Sequence, residues 1–181
     1  MMFKILDEVC TPIRSTRYSA YIDLFSREDV VIGAGETKVI PLGIKLDVTK
    51  IGLKLADIGQ DNSTQLIEKL NQFKELHYLE VALRSSLAVK GLIIPNGIGI
   101  IDLDYPDEIG LIVHNPIIDE NFNDIVGALG GNRDAFVESK IIIHKGDKVA
   151  QCTIKEHKGY LMGYESDVIR DGGYGSTGDK R

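Results

Sequence analysis

The chain has 181 residues, 43% of them hydrophobic, with a formal net charge of −6 and a pI of about 5.2. That supplies one core and suggests one domain, or one domain with insertions. The acidic balance argues against a duplex-binding surface, and no apolar run approaches the roughly 18 residues of a membrane helix.

In chain order, Met1 to Cys10 carries Lys4, Asp7 and Glu8 and no apolar h-region, so no signal peptide is expected. Phe3-Lys4-Ile5-Leu6 reads as a first strand, and Ser19 to Ser26 as a second with Asp23 inside an apolar frame. After a turn at Gly33-Ala34-Gly35, Ile40, Leu42, Ile44, Leu46 and Val48 alternate strictly, the period of a half-buried strand. Between Asp57 and Tyr78 the period changes: Leu66, Ile67, Leu70 and Phe73 fall at helical spacing. With Asn62 as N-cap and Gln65 three residues on, a helix from about Ser63 to Leu76 is expected. Leu79, Val81 and Leu83 alternate again and run into Arg84-Ser85-Ser86-Leu87-Ala88, a strand-to-helix step. Leu92-Ile93-Ile94, Pro95-Asn96-Gly97 and Ile98 to Ile101 predict a hairpin with a type I′ turn at Asn-Gly. The second strand ends in Asp102-Leu103-Asp104-Tyr105. Ile109, Leu111 and Val113 make another strand. Pro116 to Ser139 reads as a long acidic loop around Gly130-Gly131, with a helical turn near Ile125 to Leu129. Ile141 to Ile143 and Val149 to Ile154 complete the strands, and a glycine-rich tail follows. Many short strands punctuated by turns predict an all-β sandwich or barrel.

Taken singly, the chemical motifs are ordinary. Strand-end acids are mostly solvated. Arg84 with its adjacent hydroxyls suits a phosphate, but taken alone it reads more simply as an N-cap beside a surface arginine. Gly146-Asp147-Lys148 is a turn before a strand. The tail is not a P-loop, because Asp179 stands where that motif needs lysine. Yet Tyr174 in the middle of Gly172-Gly173-Tyr174-Gly175-Ser176-Thr177-Gly178 is more than a linker needs. Cys10 and Cys152 follow no ligand spacing and read as reduced thiols in a cytoplasmic protein, and the four histidines are scattered, so no zinc site is expected.

Together, five stretches in order resemble the five motifs of the trimeric deoxyuridine triphosphate nucleotidohydrolases (dUTPases). They are Ala20 to Leu24, Arg84 to Ala88, Asn96 to Tyr105, Gly146 to Gln151 and Arg170 to Gly178. The resemblance implies a β jelly roll or distorted β-barrel, here with an inserted helix and a long acidic loop. It implies a homotrimer, Mg2+ as cofactor, and dUTP as the substrate, cleaved to dUMP and pyrophosphate. By resemblance Asp102 activates the attacking water, and Tyr105 lies under the deoxyribose and excludes a 2′-hydroxyl. Asn96, Gly99 and Ile101 belong to the uracil-reading hairpin. Arg84, Ser85, Ser86, Gln151 and Arg170 match phosphate contacts. Asp23 matches the acid that touches magnesium through water. Tyr174 stands where the family usually has Phe over the uracil, followed by Gly175, Ser176 and Thr177 on the phosphates.

The chain departs from the pattern with Tyr21 where Gly is usual, Leu83 for Pro, Ser86 for Gly and Lys148 for Arg. Arg170 also stands one residue nearer the glycine pair than the family has it. The domain reading is a β domain over 1–169, with insertions near 57–78 and 116–140, and an arm over 170–181. One rival is the dCTP deaminase family on the same fold, which needs a glutamate in the strand after the hairpin; Ile109 to Asn115 has none. The other is a non-catalytic nucleotide-sensing or protein-binding module on this scaffold.

Overall fold

The computed structural model describes residues 2–56, 61–117 and 140–163. Period-two runs of Ile, Val and Leu become short strands in chain order: β1 (Phe3–Ile5), β2 (Ile22–Phe25), β3 (Val30–Ile32), β4 (Thr37–Pro41) and β5 (Ile44–Leu46). After two helices come β6 (His77–Leu83), β7 (Gly99–Asp102), β8 (Gly110–His114), β9 (Ile141–Ile143) and β10 (Lys148–Glu156). All pairings are antiparallel: β1 with β5, β3 with β9, β4 with β8, and a four-stranded sheet in the order β2-β10-β6-β7. The inward faces meet in one core that includes Leu24, Ile32, Ile40, Leu79, Leu103 and Val113, each no more than 2% exposed. This is the all-β, jelly-roll type of architecture, and no closed barrel forms among the described residues.

The alternating run from Ile40 is not one strand. It breaks after β4 at Leu42-Gly43, where Gly43 adopts φ +62° and β5 leaves to pair with β1. Glycine is required there twice over. Its φ is left-handed, and a Cβ would lie 2.5 Å from the Cys10 Sγ.

The inserted helix runs from Ser63 to Leu76 with the expected cap. The Asn62 side chain accepts from the Gln65 N–H at 3.0 Å, and Gln65 Oε1 accepts from the Asn62 N–H at 2.9 Å. A second helix, unforeseen in the sequence, precedes it over Val48–Leu55, capped by Asp47, whose carboxylate accepts from the Lys50 N–H at 3.1 Å. These helices, α1 and α2, pack on each other, and α2 lays Phe73 against the core.

The expected Asn-Gly hairpin does not form. The turn is Ile94-Pro95-Asn96-Gly97, closed by the Gly97 N–H donating to the Ile94 carbonyl at 3.0 Å. Gly97 has φ +79°, but Asn96 does not have the positive φ a type I′ turn demands. Pro95 decides this: its ring presets the second position of an ordinary turn and shifts the centre back by one residue. Ile93 then bridges to His114, and β7 pairs with β6 instead of with the run before the turn. The acidic-loop expectation beyond Ile117, with its helical turn at Ile125 to Leu129, lies outside the described residues, as does the tail.

Candidate active site

At one end of the four-stranded sheet Asp23 sits in β2, on a rung with Gln151 of β10 and Ala82 of β6. Residues directly across antiparallel strands share a face, so Asp23 and Gln151 point the same way. Ile13 closes on the far side of Asp23, its carbonyl accepting from the Asp23 N–H at 2.8 Å. The carboxylate is thus walled in, and the residue is 6% exposed. Both of its oxygens are taken. Arg84 Nη1 binds Oδ1, Ser15 Oγ donates to Oδ2, and Lys148 Nζ lies 2.9 Å from Oδ2 and 2.9 Å from Ser15 Oγ. Burial alone would raise the Asp23 pKa, but the Ser15 and Lys148 hydrogen bonds and the nearby Arg84 charge outweigh it and hold the carboxyl below its usual range.

Backbone geometry brings these donors in. Arg84 follows β6 and is pinned by its N–H donating to the Val149 carbonyl at 3.1 Å. Lys148 is re-aimed by a register shift in β10 between Lys148 and Ala150, which sets it opposite Phe25, on Asp23's face of β2. Ser85 and Ser86 open a single-turn helix, α3 (Ser85–Ala88), and are exposed beside Arg84.

The other end of the sheet is built on β7, an edge strand among the described residues. Gly99 pairs with Val81, and a Cβ on it would meet Val81 Cβ and the Val81 carbonyl oxygen at 3.2 Å each. A missing side chain here lets β7 close on β6. Ile101 packs its side chain toward the core, while Asp102, opposite Tyr78, is exposed at the strand end. The Tyr105 N–H donates to the Asp102 carbonyl at 3.0 Å, and that turn sends the Tyr105 ring into the core, where the residue is 9% exposed. Asn96 is exposed in the preceding turn.

Between the two ends lies a polar network. Glu80 accepts from the Tyr21 hydroxyl and from the Tyr78 hydroxyl, the latter at 3.1 Å, with Lys155 Nζ 4.0 Å away. The hydrogen bond to Glu80 pushes the Tyr21 phenol up to about 12.

One chain therefore brings Asp23, Arg84 and Gln151 together, and Asp102 with Tyr105, but not the two groups to each other. On the sheet Asp102 is level with Tyr78 and Asp23 with Ala82, four residues apart along β6 and three strand spacings across. At about 3.3 Å per residue and about 4.8 Å per strand, that diagonal is roughly 19 Å. Arg170, Tyr174, Gly175, Ser176 and Thr177 lie outside the described residues. Sequence reading missed Ser15, which carries no motif signal, and left Lys148 out of the site although it lies within the Gly146 to Gln151 stretch.

Among the described residues no group of three or more His, Cys, Asp and Glu side chains could hold a metal ion. Three donors already use the Asp23 carboxylate and two of them are cations, which leaves little acceptor capacity for a magnesium-bound water and sets positive charge against the ion. The described histidines have local work. His77 stacks on Phe73 with centroids 4.2 Å apart, His114 pairs with Thr37 at 3.0 Å, and His157 accepts from the Gly159 N–H.

No family model matches the chain. It is similar to the deoxyuridine 5′-triphosphate nucleotidohydrolase of Corynebacterium glutamicum, 31% identical over 178 residues covering 94% of this chain and 89% of the relative. It is likewise similar to that of Rickettsia canadensis, 28% identical over 175 residues covering 92% and 87%. Among solved structures, the dUTPase of Streptococcus mutans superimposes with a TM-score of 0.55 at 20% identity, covering 86% of this chain and 95% of that one. The dUTPase of phage phi11 of S. aureus gives 0.56 at 19% identity, covering 95% and 96%. The structural likeness establishes the fold. With the sequence kinship over nearly the whole length, it follows that this chain belongs to the deoxyuridine 5′-triphosphate nucleotidohydrolase family.

Proposed function

We propose that this chain, a dUTP diphosphatase by family, cleaves dUTP to dUMP and pyrophosphate by attack of a water on the α-phosphorus, with Asp102 taking the water's proton. A general base must be reachable by its water, and Asp102 is exposed at the end of β7. Arg84, Lys148 and Gln151 face the phosphates, with Ser85 and Ser86 alongside. An edge strand turns half its backbone groups away from its neighbour. The edge of β7 that no described strand covers, from Gly99 through Ile101, supplies donors and acceptors for uracil, and Asn96 adds its amide from the turn. An acceptor matched to the uracil N3–H is left unpaired against cytosine, which is costly in a closed site. Tyr105 is held in the core, so its ring is a fixed wall against the sugar and does not yield to a 2′-hydroxyl. The arm over 170–181 closes the site, Tyr174 stacking on the base and Gly175, Ser176 and Thr177 reaching the phosphates, and Arg170 adds a cation.

Magnesium is the ion of the substrate: it enters on the triphosphate and offsets its charge. The described residues offer it no cage. No described helix is long and apolar enough to cross a membrane. The deaminase alternative lacks its acid, because β8 reads Gly-Leu-Ile-Val-His.

The observation that carries this reading is the split of the site. The cationic end and the Asp102 end of the sheet are too far apart to serve one nucleotide, so the site is completed by another copy, in a homotrimer closed by cyclic symmetry. The test is complementation. D102N and R84M proteins, each inactive, are unfolded together, refolded as a mixture and assayed for pyrophosphate release from dUTP. Random mixing should restore roughly a quarter of wild-type sites, since each needs one intact half from each of two copies. No recovery would overturn the shared site. A wild-type chain that releases no pyrophosphate from dUTP would favour the nucleotide-sensing alternative.

A further inference from the structure

The four-membered cluster Asp23, Arg84, Lys148 and Ser15 shows an arrangement that a magnesium-shell acid does not explain. The carboxylate lies beneath, its side chain 8% exposed, and the two cations rise over it, with side chains 28% exposed for Arg84 and 41% for Lys148. Each cation takes a different carboxylate oxygen, so one acid spaces two positive groups. Ser15 donates to Oδ2 and accepts from Lys148, which ties the lysine to the same oxygen by a second route. Gln151 shares the rung.

We propose that Asp23 is a positioning residue: the internal counter-ion of Arg84 and Lys148, which holds the pair spaced for two phosphate oxygens and which a polyphosphate must compete with. This rests on the reading that these cations bind the triphosphate. Two cations pressed together in a partly dry place repel each other, and a buried anion between them removes that cost. The same anion weakens their pull on any incoming phosphate. The cluster thus trades affinity for geometry, and its ligand class is a di- or triphosphate without a protein-bound metal. It also follows that pyrophosphate, the smaller product, meets a site whose positive charge is already partly neutralised, which favours its departure.

The probe is inorganic pyrophosphate in excess EDTA, titrated calorimetrically into wild-type, D23N and R84M/K148M proteins. Loss of pyrophosphate binding in R84M/K148M is expected, and unchanged binding there would overturn the underlying reading of the cations. If the cations do bind, D23N is expected to bind pyrophosphate at least ten-fold more tightly than wild type, with the half-saturating magnesium for dUTP turnover unchanged. Unaltered pyrophosphate affinity in D23N, with a several-fold rise in the magnesium requirement, would overturn the counter-ion and return Asp23 to the metal shell. Losing the acid beneath two cations threatens folding, so a second measurement covers that case. D23N is refolded with and without pyrophosphate in EDTA and its thermal unfolding is followed. A counter-ion is replaceable by an added anion, so pyrophosphate should restore folding, or raise the melting temperature of D23N more than that of wild type. A variant that pyrophosphate neither rescues nor stabilises beyond wild type would overturn the proposal.

Discussion

Two aspartates on one sheet have opposite surroundings. Asp23 is buried on an interior rung, bonded by a serine and two cations, and its carboxyl is held below the usual range. Asp102 is exposed at the end of β7, an edge strand among the described residues, and opens the turn that sinks Tyr105 into the core. On the proposed reading, the difference separates two uses of the same side chain. A carboxylate enclosed by cations keeps its charge and organises them, whereas one that must receive a proton has to be reachable by water.

The largest effect should come from Asp102→Asn. The amide cannot accept the proton, and loss of a general base costs about 10²–10⁴-fold in kcat. Calorimetry should show dUTP still bound, and near-normal turnover would remove Asp102 from its role. Magnesium chelation comes next. Excess EDTA should lower turnover by about ten-fold or more, while leaving the melting temperature of the chain without nucleotide where it was. A fall in that temperature would mean that the protein itself holds the metal. Away from both acids, Asn62→Ala removes the reciprocal cap of α2 and should cost about 1 kcal/mol in chemical denaturation, with turnover unchanged. The smallest effect concerns the network between the two ends. The Tyr21 phenol sits at about 12 in the folded chain against an ordinary 10.0. A raised folded pKa gives stability that is complete below pH 10 and is lost as pH rises through about 12. Melting temperatures across that window should fall more steeply for the wild type than for Tyr21→Phe, and parallel curves would dissolve the link to Glu80.

What could be read ahead was local. The α2 helix declared itself through a helical apolar spacing and a capping pair three residues apart, both contained in its own segment. The α1 helix did not, because Val48, Thr49 and Gly52 are weak helix formers and packing on α2 supplies what propensity lacks. The Asn-Gly signal failed because Pro95 one residue earlier imposed its own turn. Strand existence was legible from the alternation. The point where the chain changes sheets was not, since Gly43 is demanded by a cysteine more than thirty positions earlier. At the candidate site, four of the five motifs put forward Asp23, Arg84, Gln151, Asp102 and Tyr105, and the fifth lies outside the described residues. Ser15 reaches Asp23 only because Ile13 bridges to that strand, and Lys148 only because β10 is bulged, and neither long-range pairing is written in the local pattern.

The tight seat of Cys10 under Gly43 gives the molecule a built-in clock. Burial raises the Cys10 thiol above its ordinary pKa and pushes Cys152 up to about 12, so neither presents a thiolate at neutral pH. Alkylation must therefore wait for the chain to open. Cys10 is released when the Gly43 corner loosens, and Cys152 only when β10 parts from β2 and β6. The two labelling times, read by mass in one experiment, would rank the corner against the sheet and show which yields first.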